Sequence, residues 1–177
     1  MRMFCAFVTG LVLGGTALAQ EKRPPPPPRF GVPAELDLYP HSSPKQLLVS
    51  IGKTLQRSRT DYLLAHLLEP SFGDAKVAQF YRARFNKSQA EEREHPDYDK
   101  RIKQAFEDFI KEVEQHMVNE PKETAQLQRL LKDGNVEEAG TTAKVTHKDV
   151  PNLVLSLRQT EGRWYMLNEK EVEKAKK

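Results

Sequence analysis

The chain has 177 residues, 30% of them charged, and a formal net charge of +3. This length suits a single domain of ordinary size, and the mixture of both signs argues against a nucleic-acid surface or an acidic tail. The single cysteine, Cys5, lies near the N-terminus, so the rest of the chain can hold no disulfide, cysteine metal site or thiol nucleophile.

Residues 1–19 have the pattern of an export signal. An apolar run over 3–13 follows one arginine, and the small residues Ala17 and Ala19 precede Gln20. The run is shorter than the roughly 20 apolar residues of a membrane-spanning helix, and the cysteine stands at its beginning rather than at the cleavage point where a lipid would attach. We therefore expect cleavage after Ala19 and a periplasmic or secreted protein without a stable membrane anchor.

Residues 20–42 form a proline-rich region. Five consecutive prolines span 24–28, and Pro33 and Pro40 follow. Proline fixes φ and has no backbone N–H, so these residues favour an extended polyproline II conformation. We predict a disordered, semi-rigid linker that holds the domain away from its neighbours, with a docking site for a proline-binding partner as the alternative.

Helical periodicity begins at residue 43. Ser43 and Pro44 predict a capped helix start, a second short helix is expected to end at Pro70, and a third is predicted over 74–86. The longest helix is predicted over 97–119, where apolar residues recur at helical spacing. They are Ile102, Phe106, Phe109, Ile110, Val113 and Met117.

The pattern changes from helix to strand near Gly134. A short helix is expected after Pro121, with a left-handed stop at Gly134, and a period of two follows. The predicted strands cover 136–138, 142–147, 153–158 and 164–167, and Gly162 is expected at positive φ in the last turn. This order indicates an α+β fold, with N-terminal helices packed on a C-terminal antiparallel sheet of three to four strands. We expect the long helix to cover one face of that sheet.

Three segments near the C-terminus carry a family resemblance. They lie at 141–146, 153–158 and 161–166 and contain a T-A-x-V strand, an alternating strand and a G-R-W-Y-M hairpin. This ending, together with the helix start at Ser43, resembles the nuclear transport factor 2-like superfamily, a cystatin-like α+β cone, over about 43–168. The resemblance implies a curved antiparallel sheet that wraps around helices and encloses a pocket. Residues 169–177 would form a charged tail.

Four aromatic or histidine side chains are candidates for lining that pocket: Tyr62, His66, Tyr81 and Trp164. Tyr62 and His66 stand four residues apart on a predicted helix, where they could serve proton transfer or simply flank the apolar stripe. Tyr81 lies in an aromatic and basic segment, for which core packing competes with single-stranded nucleic-acid binding. Trp164 is expected to pack the sheet against a helix, with a pocket position as the alternative.

No residue set indicates catalysis, a metal site or a cofactor. The acidic residues over 91–99 could offer oxygen ligands to a hard cation, but they lack the spacing of a ligand loop and favour a solvated loop whose acids precede a helix. The motifs His-Glu-x-x-His and Gly-x-Ser-x-Gly and the phosphate-binding glycine loop do not occur.

These observations predict an exported, non-catalytic binding or protein-interaction domain of a bacterial-type cell envelope. Its partner would be an envelope protein or a small apolar ligand rather than nucleic acid. Formation of a homodimer is a further possibility. The alternatives are a small cone-pocket enzyme of the isomerase or hydrolase type and a purely structural envelope component. An enzyme needs an open cavity with a polar group of shifted pKa, whereas a binding domain needs an open apolar cavity or an exposed apolar patch.

Overall fold

A computed structural model describes residues 25–86 and 96–167 and confirms the α+β prediction. The helices are α1 (Pro44–Gln56), α2 (Thr60–Tyr62) with a π-helical segment (Leu63–Leu67), α3 (Pro70–Phe85), α4 (Tyr98–Asn119) and α5 (Pro121–Asp133). The strands are β1 (Asn135–Ala139), β2 (Thr142–Thr146), β3 (Leu155–Thr160) and β4 (Arg163–Met166). The predicted signal peptide, its cleavage site and the charged tail lie outside the described residues.

The four strands form one antiparallel sheet in which each strand pairs with the next along the chain. Burial alternates along β2, and its buried Ala143 pairs with the buried Leu157 of β3 on the same face of the sheet. The turn between β3 and β4 has positive φ at both Glu161 (52°) and Gly162 (76°). Two consecutive positive φ values match the twist of a tight hairpin, so the prediction for Gly162 is confirmed.

The sheet is covered mainly by α1 and the π-helical segment, both of which contact β4, whereas α4 packs chiefly on α3. The long helix is therefore not the main cover of the sheet, contrary to expectation. The reason lies at the outer edge of β4, where the Trp164 N–H donates to the His41 carbonyl (2.8 Å) and the Met166 carbonyl accepts from the Glu69 N–H (2.9 Å). These bonds bring the beginning of the helical half onto the sheet.

Two predicted stop signals act differently in the structure. The second helix ends at Leu67, shortly before Pro70, but Pro70 also begins α3, because proline suits the first helical position and the Glu69 carboxylate accepts from the Phe72 N–H at 3.0 Å. Gly134 has φ −67° and ψ 140°, so it is extended rather than left-handed. A Cβ at Gly134 would lie 2.3 Å from the Leu130 carbonyl oxygen. The glycine is needed for a close approach, not for its φ.

Residues 29–42, which the sequence predicts as part of a disordered linker, pack against the helices and are called the strap below. Phe30 stacks on Phe106 with ring centroids 4.6 Å apart, and Tyr39 and His41 are buried. The strap has little regular secondary structure, as its prolines predict. However, the aromatic residues between those prolines join the hydrophobic core, and this burial holds the segment in place. The folded part of the chain therefore starts before Ser43.

Candidate functional site

Four buried tyrosine and histidine side chains lie where the strap packs against α2, the π-helical segment and β4. This Tyr–His cluster consists of Tyr39, His41, Tyr62 and His66, and none of its members is more than 3% exposed. The Tyr62 ring lies 4.4 Å from Tyr39 and 4.9 Å from His66, measured between ring centroids. Since π-helical turns often occur at functional sites, the position of His66 in such a turn makes the cluster worth testing as a site of chemistry.

The strap closes the cluster through its backbone. The Tyr62 hydroxyl accepts from the Glu35 N–H at 3.1 Å. The His66 Nε2 lies 2.9 Å from the Val32 carbonyl oxygen, and because a carbonyl only accepts, this nitrogen is the donor. One polar atom of each side chain is thus bonded to the strap backbone.

Two members of the cluster remain without hydrogen bonds. The Tyr39 hydroxyl and both ring nitrogens of His41 are buried and have no hydrogen-bond partner among the described residues. Such groups are rare in folded proteins and destabilise them, because the group loses its hydration without compensation. The His41 ring is therefore held by packing, including the Tyr165 ring of β4 at 5.4 Å between centroids, rather than by hydrogen bonds to its nitrogens.

Burial keeps the titratable groups of the cluster neutral. It lowers the pKa of His41 to about 4, assisted by the charges of Arg163 and His66. Burial also lowers the pKa of His66, against the opposing effect of its bond to Val32, and raises the pKa of Tyr62. At neutral pH these groups are therefore uncharged, and the Tyr62 ring packs between the rings of Tyr39 and His66.

The structure brings together only two of the four residues predicted to line a pocket. Tyr62 and His66 are adjacent, while Tyr81 packs near Phe85 and Tyr98 between α3 and α4. Trp164 lies on β4 and is 3% exposed. All four are buried side chains, and their role in lining a pocket stays a prediction.

The sequence reasoning missed Tyr39 and His41, the two cluster members contributed by the strap. Both lie in the proline-rich region, whose composition indicates an unpacked linker. A signal does exist, because a tyrosine and a histidine flank Pro40 immediately before the capped start of α1. Aromatic side chains at such a position indicate that a linker has already begun to pack.

An open groove of about 580 Å³ runs between α1 and α5. Its floor is apolar and includes Leu48, Leu55 and Leu131. Gly52 lines the middle of the α1 wall, and a Cβ built there meets no atom within 4 Å. Val49, which is 65% exposed, stands at the same wall. This α1–α5 groove is therefore accessible and mainly apolar.

The charged residues that line the α1–α5 groove are both lysines. Lys53 belongs to α1 and Lys132 to the last turn of α5. The Lys53 Nζ donates a hydrogen bond to the Leu38 carbonyl oxygen at 3.0 Å, which ties the groove wall to the strap. The remaining polar lining residues, Gln56 and Gln128, are uncharged. The groove thus combines an apolar floor with cationic walls.

Comparison with known proteins gives no guide to the site, because no family model, curated protein or solved structure matches this chain.

The described residues also bear on a metal site and on a membrane span. Within residues 25–86 and 96–167, no group of three or more histidine, cysteine or acidic side chains is placed to hold a metal ion. The acidic segment considered as a cation site lies mostly outside those ranges, over 91–95. None of the helices in them is both long and apolar enough to cross a membrane.

Proposed function

We propose that this chain is an exported, non-catalytic binding domain whose α1–α5 groove takes a small molecule with an apolar body. The groove itself is the observation that carries the proposal. Its volume of about 580 Å³ falls in the range of roughly 300–1,000 Å³ that is typical of ligand sites. Its lining also has the composition of such sites, with apolar side chains and a few polar groups.

A cone-pocket enzyme is the less favoured alternative. Its catalytic groups would have to reach substrate in an open cavity. The members of the Tyr–His cluster with shifted pKa, His41, Tyr62 and His66, are instead buried. The accessible α1–α5 groove has no histidine, tyrosine or carboxylate in its lining, so it offers binding without an acid–base pair.

The location and superfamily of the domain belong to the same proposal. The export pattern of residues 1–19 supports a periplasmic or secreted protein of a bacterial-type envelope. Membership of the nuclear transport factor 2-like superfamily is supported by the order of helices and antiparallel strands and by the T-A-x-V and G-R-W-Y-M segments, which fall on β2 and around β4. Fold membership alone assigns no ligand, so the groove remains the basis for the function.

The uncharged dye Nile red provides a direct test, because its fluorescence rises when it enters an apolar site. We expect saturable binding to the folded protein. Gly52→Phe should fill the groove without strain in α1, since a Cβ at this position points into open space, and should weaken dye binding by at least about tenfold. Gly52→Ala is the matched control, because one methyl group leaves most of the groove open.

Circular dichroism should show that both Gly52 variants keep the native helix content. Dye binding that Gly52→Phe leaves unchanged would place the apolar site elsewhere and overturn the proposal. Failure of the wild-type protein to bind the dye would equally contradict a small apolar ligand and would favour the alternative of a protein partner.

A further inference from the structure

We propose that the ligand of the α1–α5 groove is an amphipathic anion, an apolar chain with one negatively charged head, and that Lys53 and Lys132 bind the head. This inference rests on the proposed function, since it specifies the ligand of the same groove. It follows from the charges of the lining. Both charged lining residues are cationic, they come from different helices, and no acidic side chain lines the groove to neutralise them.

Lys53 is positioned for this role by its bond to the strap. An ammonium group has three N–H donors, and one of them is used by the Leu38 carbonyl oxygen at 3.0 Å. No other hydrogen bond or ion pair joins Lys53 to a described residue. Because this bond restricts the flexible side chain beforehand, a ligand head loses less conformational entropy when it binds to the two remaining donors.

Lys132 provides the second cation from the opposite wall. It lies exposed in the last turn of α5, and it forms no ion pair with the residues that the structure describes. A neutral ligand in the groove would partly desolvate these two ammonium groups without pairing them, which is unfavourable. An anionic head compensates them, so the lysines discriminate between ligands that have the same apolar chain.

The apolar floor of the groove indicates the second part of the ligand, its hydrocarbon chain. Leu48, Leu55 and Leu131 present hydrocarbon surface, and the missing side chain of Gly52 leaves space beside it. A small inorganic anion would leave this surface in water, whereas an alkyl chain removes it from water. The combination therefore favours an amphipathic anion over both a neutral hydrocarbon and a free inorganic ion.

Competition among three compounds with a ten-carbon chain tests the inference. Decanoate, decanol and decyltrimethylammonium have the same chain and differ in the charge of the head. Below the micellar concentrations of the two ionic compounds and the solubility limit of decanol, decanoate should displace Nile red at a concentration roughly fivefold lower than decanol does, a preference typical of partly exposed ion pairs. The cationic compound should be the weakest competitor, and added salt should reduce the preference for decanoate.

Lys132→Gln is the sharper of the two lysine variants, since Lys53→Gln would also remove the bond to the strap. Lys132→Gln should abolish most of the preference for decanoate over decanol, with each competitor measured against the variant's own affinity for Nile red. Lys45→Gln is the matched control, because Lys45 is exposed on α1 but does not line the groove. It should keep the full preference.

The outcomes separate the inference from the proposed function. If decanol displaces the dye as well as decanoate does, or if Lys132→Gln leaves the preference intact, the anionic head is refuted while the apolar groove stands. If Nile red does not bind the wild-type protein, or binds Gly52→Phe as tightly as the wild type, the proposed function is refuted, and the inference that rests on it is refuted too.

Discussion

Helix α1 borders two regions that use their polar groups in opposite ways. Towards the strap, Lys53 and Ser50 donate hydrogen bonds to the carbonyls of Leu38 and Pro40, and the Tyr–His cluster beyond is closed. Towards α5, the groove is open, and the exposed Lys132 in its lining forms no ion pair with a described residue. The tyrosines and histidines, which are the residue types most often used in catalysis, are thus buried by folding. The accessible site is instead lined mainly by leucines, a glycine and lysines. Access, rather than residue type, separates a candidate site from the core.

The largest expected difference between the two regions is in stability. Trp164 is 3% exposed on β4, and its backbone bonds to the strap. Trp164→Ala should lower the free energy of unfolding by about 3–5 kcal/mol, through lost burial and a residual cavity. Val49→Ala, at the 65% exposed wall of the groove, should change it by less than about 0.5 kcal/mol. Urea denaturation at neutral pH measures both, and equal losses would contradict the contrast between a closed core and an open groove.

A second prediction concerns the loss of stability at acidic pH. Because the pKa of His41 falls from 6.5 to about 4 on folding, the unfolded chain binds a proton in this range that the folded protein does not. The contribution to stability is fully present above pH 6.5 and is lost as the pH falls to about 4, by up to about 3 kcal/mol. His41→Phe should remove this part of the acid sensitivity, since it eliminates both unpartnered nitrogens.

Urea denaturation over that pH range tests the role of His41. The difference between wild type and His41→Phe should grow steadily as the pH falls. His116→Gln is the control, because His116 is exposed on α4, and it should retain the acid sensitivity of the wild type. A His41→Phe variant with the wild-type pH profile would show that the Tyr–His cluster is open to water.

The third prediction uses Gly134, which lies where α5 meets β1. A Cβ there would approach the Leu130 carbonyl oxygen to 2.3 Å and Val145 Cγ1 to 2.5 Å. Gly134→Ala should therefore destabilise the protein by about 1–3 kcal/mol, as overpacking in a core does. The shift in the urea midpoint measures the effect. A stabilised variant would mean that the junction of α5 and β1 has room for a side chain.

The sequence predicts much of the fold because regular elements leave local patterns. The period of α4, the capped start at Ser43 and the hairpin glycine at Gly162 are each determined by neighbours along the chain, and all three are confirmed. The strap leaves no such pattern, because it is held by contacts between residues far apart in sequence, such as Phe30 with Phe106. Periodicity cannot reveal an irregular segment that packs through its side chains.

The α1–α5 groove could not be predicted for a related reason. Its walls belong to two helices that are distant along the chain, and only their packing decides whether the space between them is filled. Gly52 is visible in the sequence as a glycine inside a helical pattern, which is the one local sign of a gap in a helix surface. The paired lysines, in contrast, look like any two exposed cations until the helices are brought together.

The last prediction, at Gly52, is a small effect of opposite sign. A glycine inside a helix costs up to about 1 kcal/mol relative to alanine, because its backbone loses more freedom on folding. A Cβ at Gly52 meets no atom within 4 Å, so Gly52→Ala should raise the free energy of unfolding by that amount, as a rise in the urea midpoint. Gly134→Ala should lower it, although the chemical change is the same. Destabilisation by both substitutions would mean that the space beside Gly52 is filled, and the contrast between a closed core and an open groove would fail.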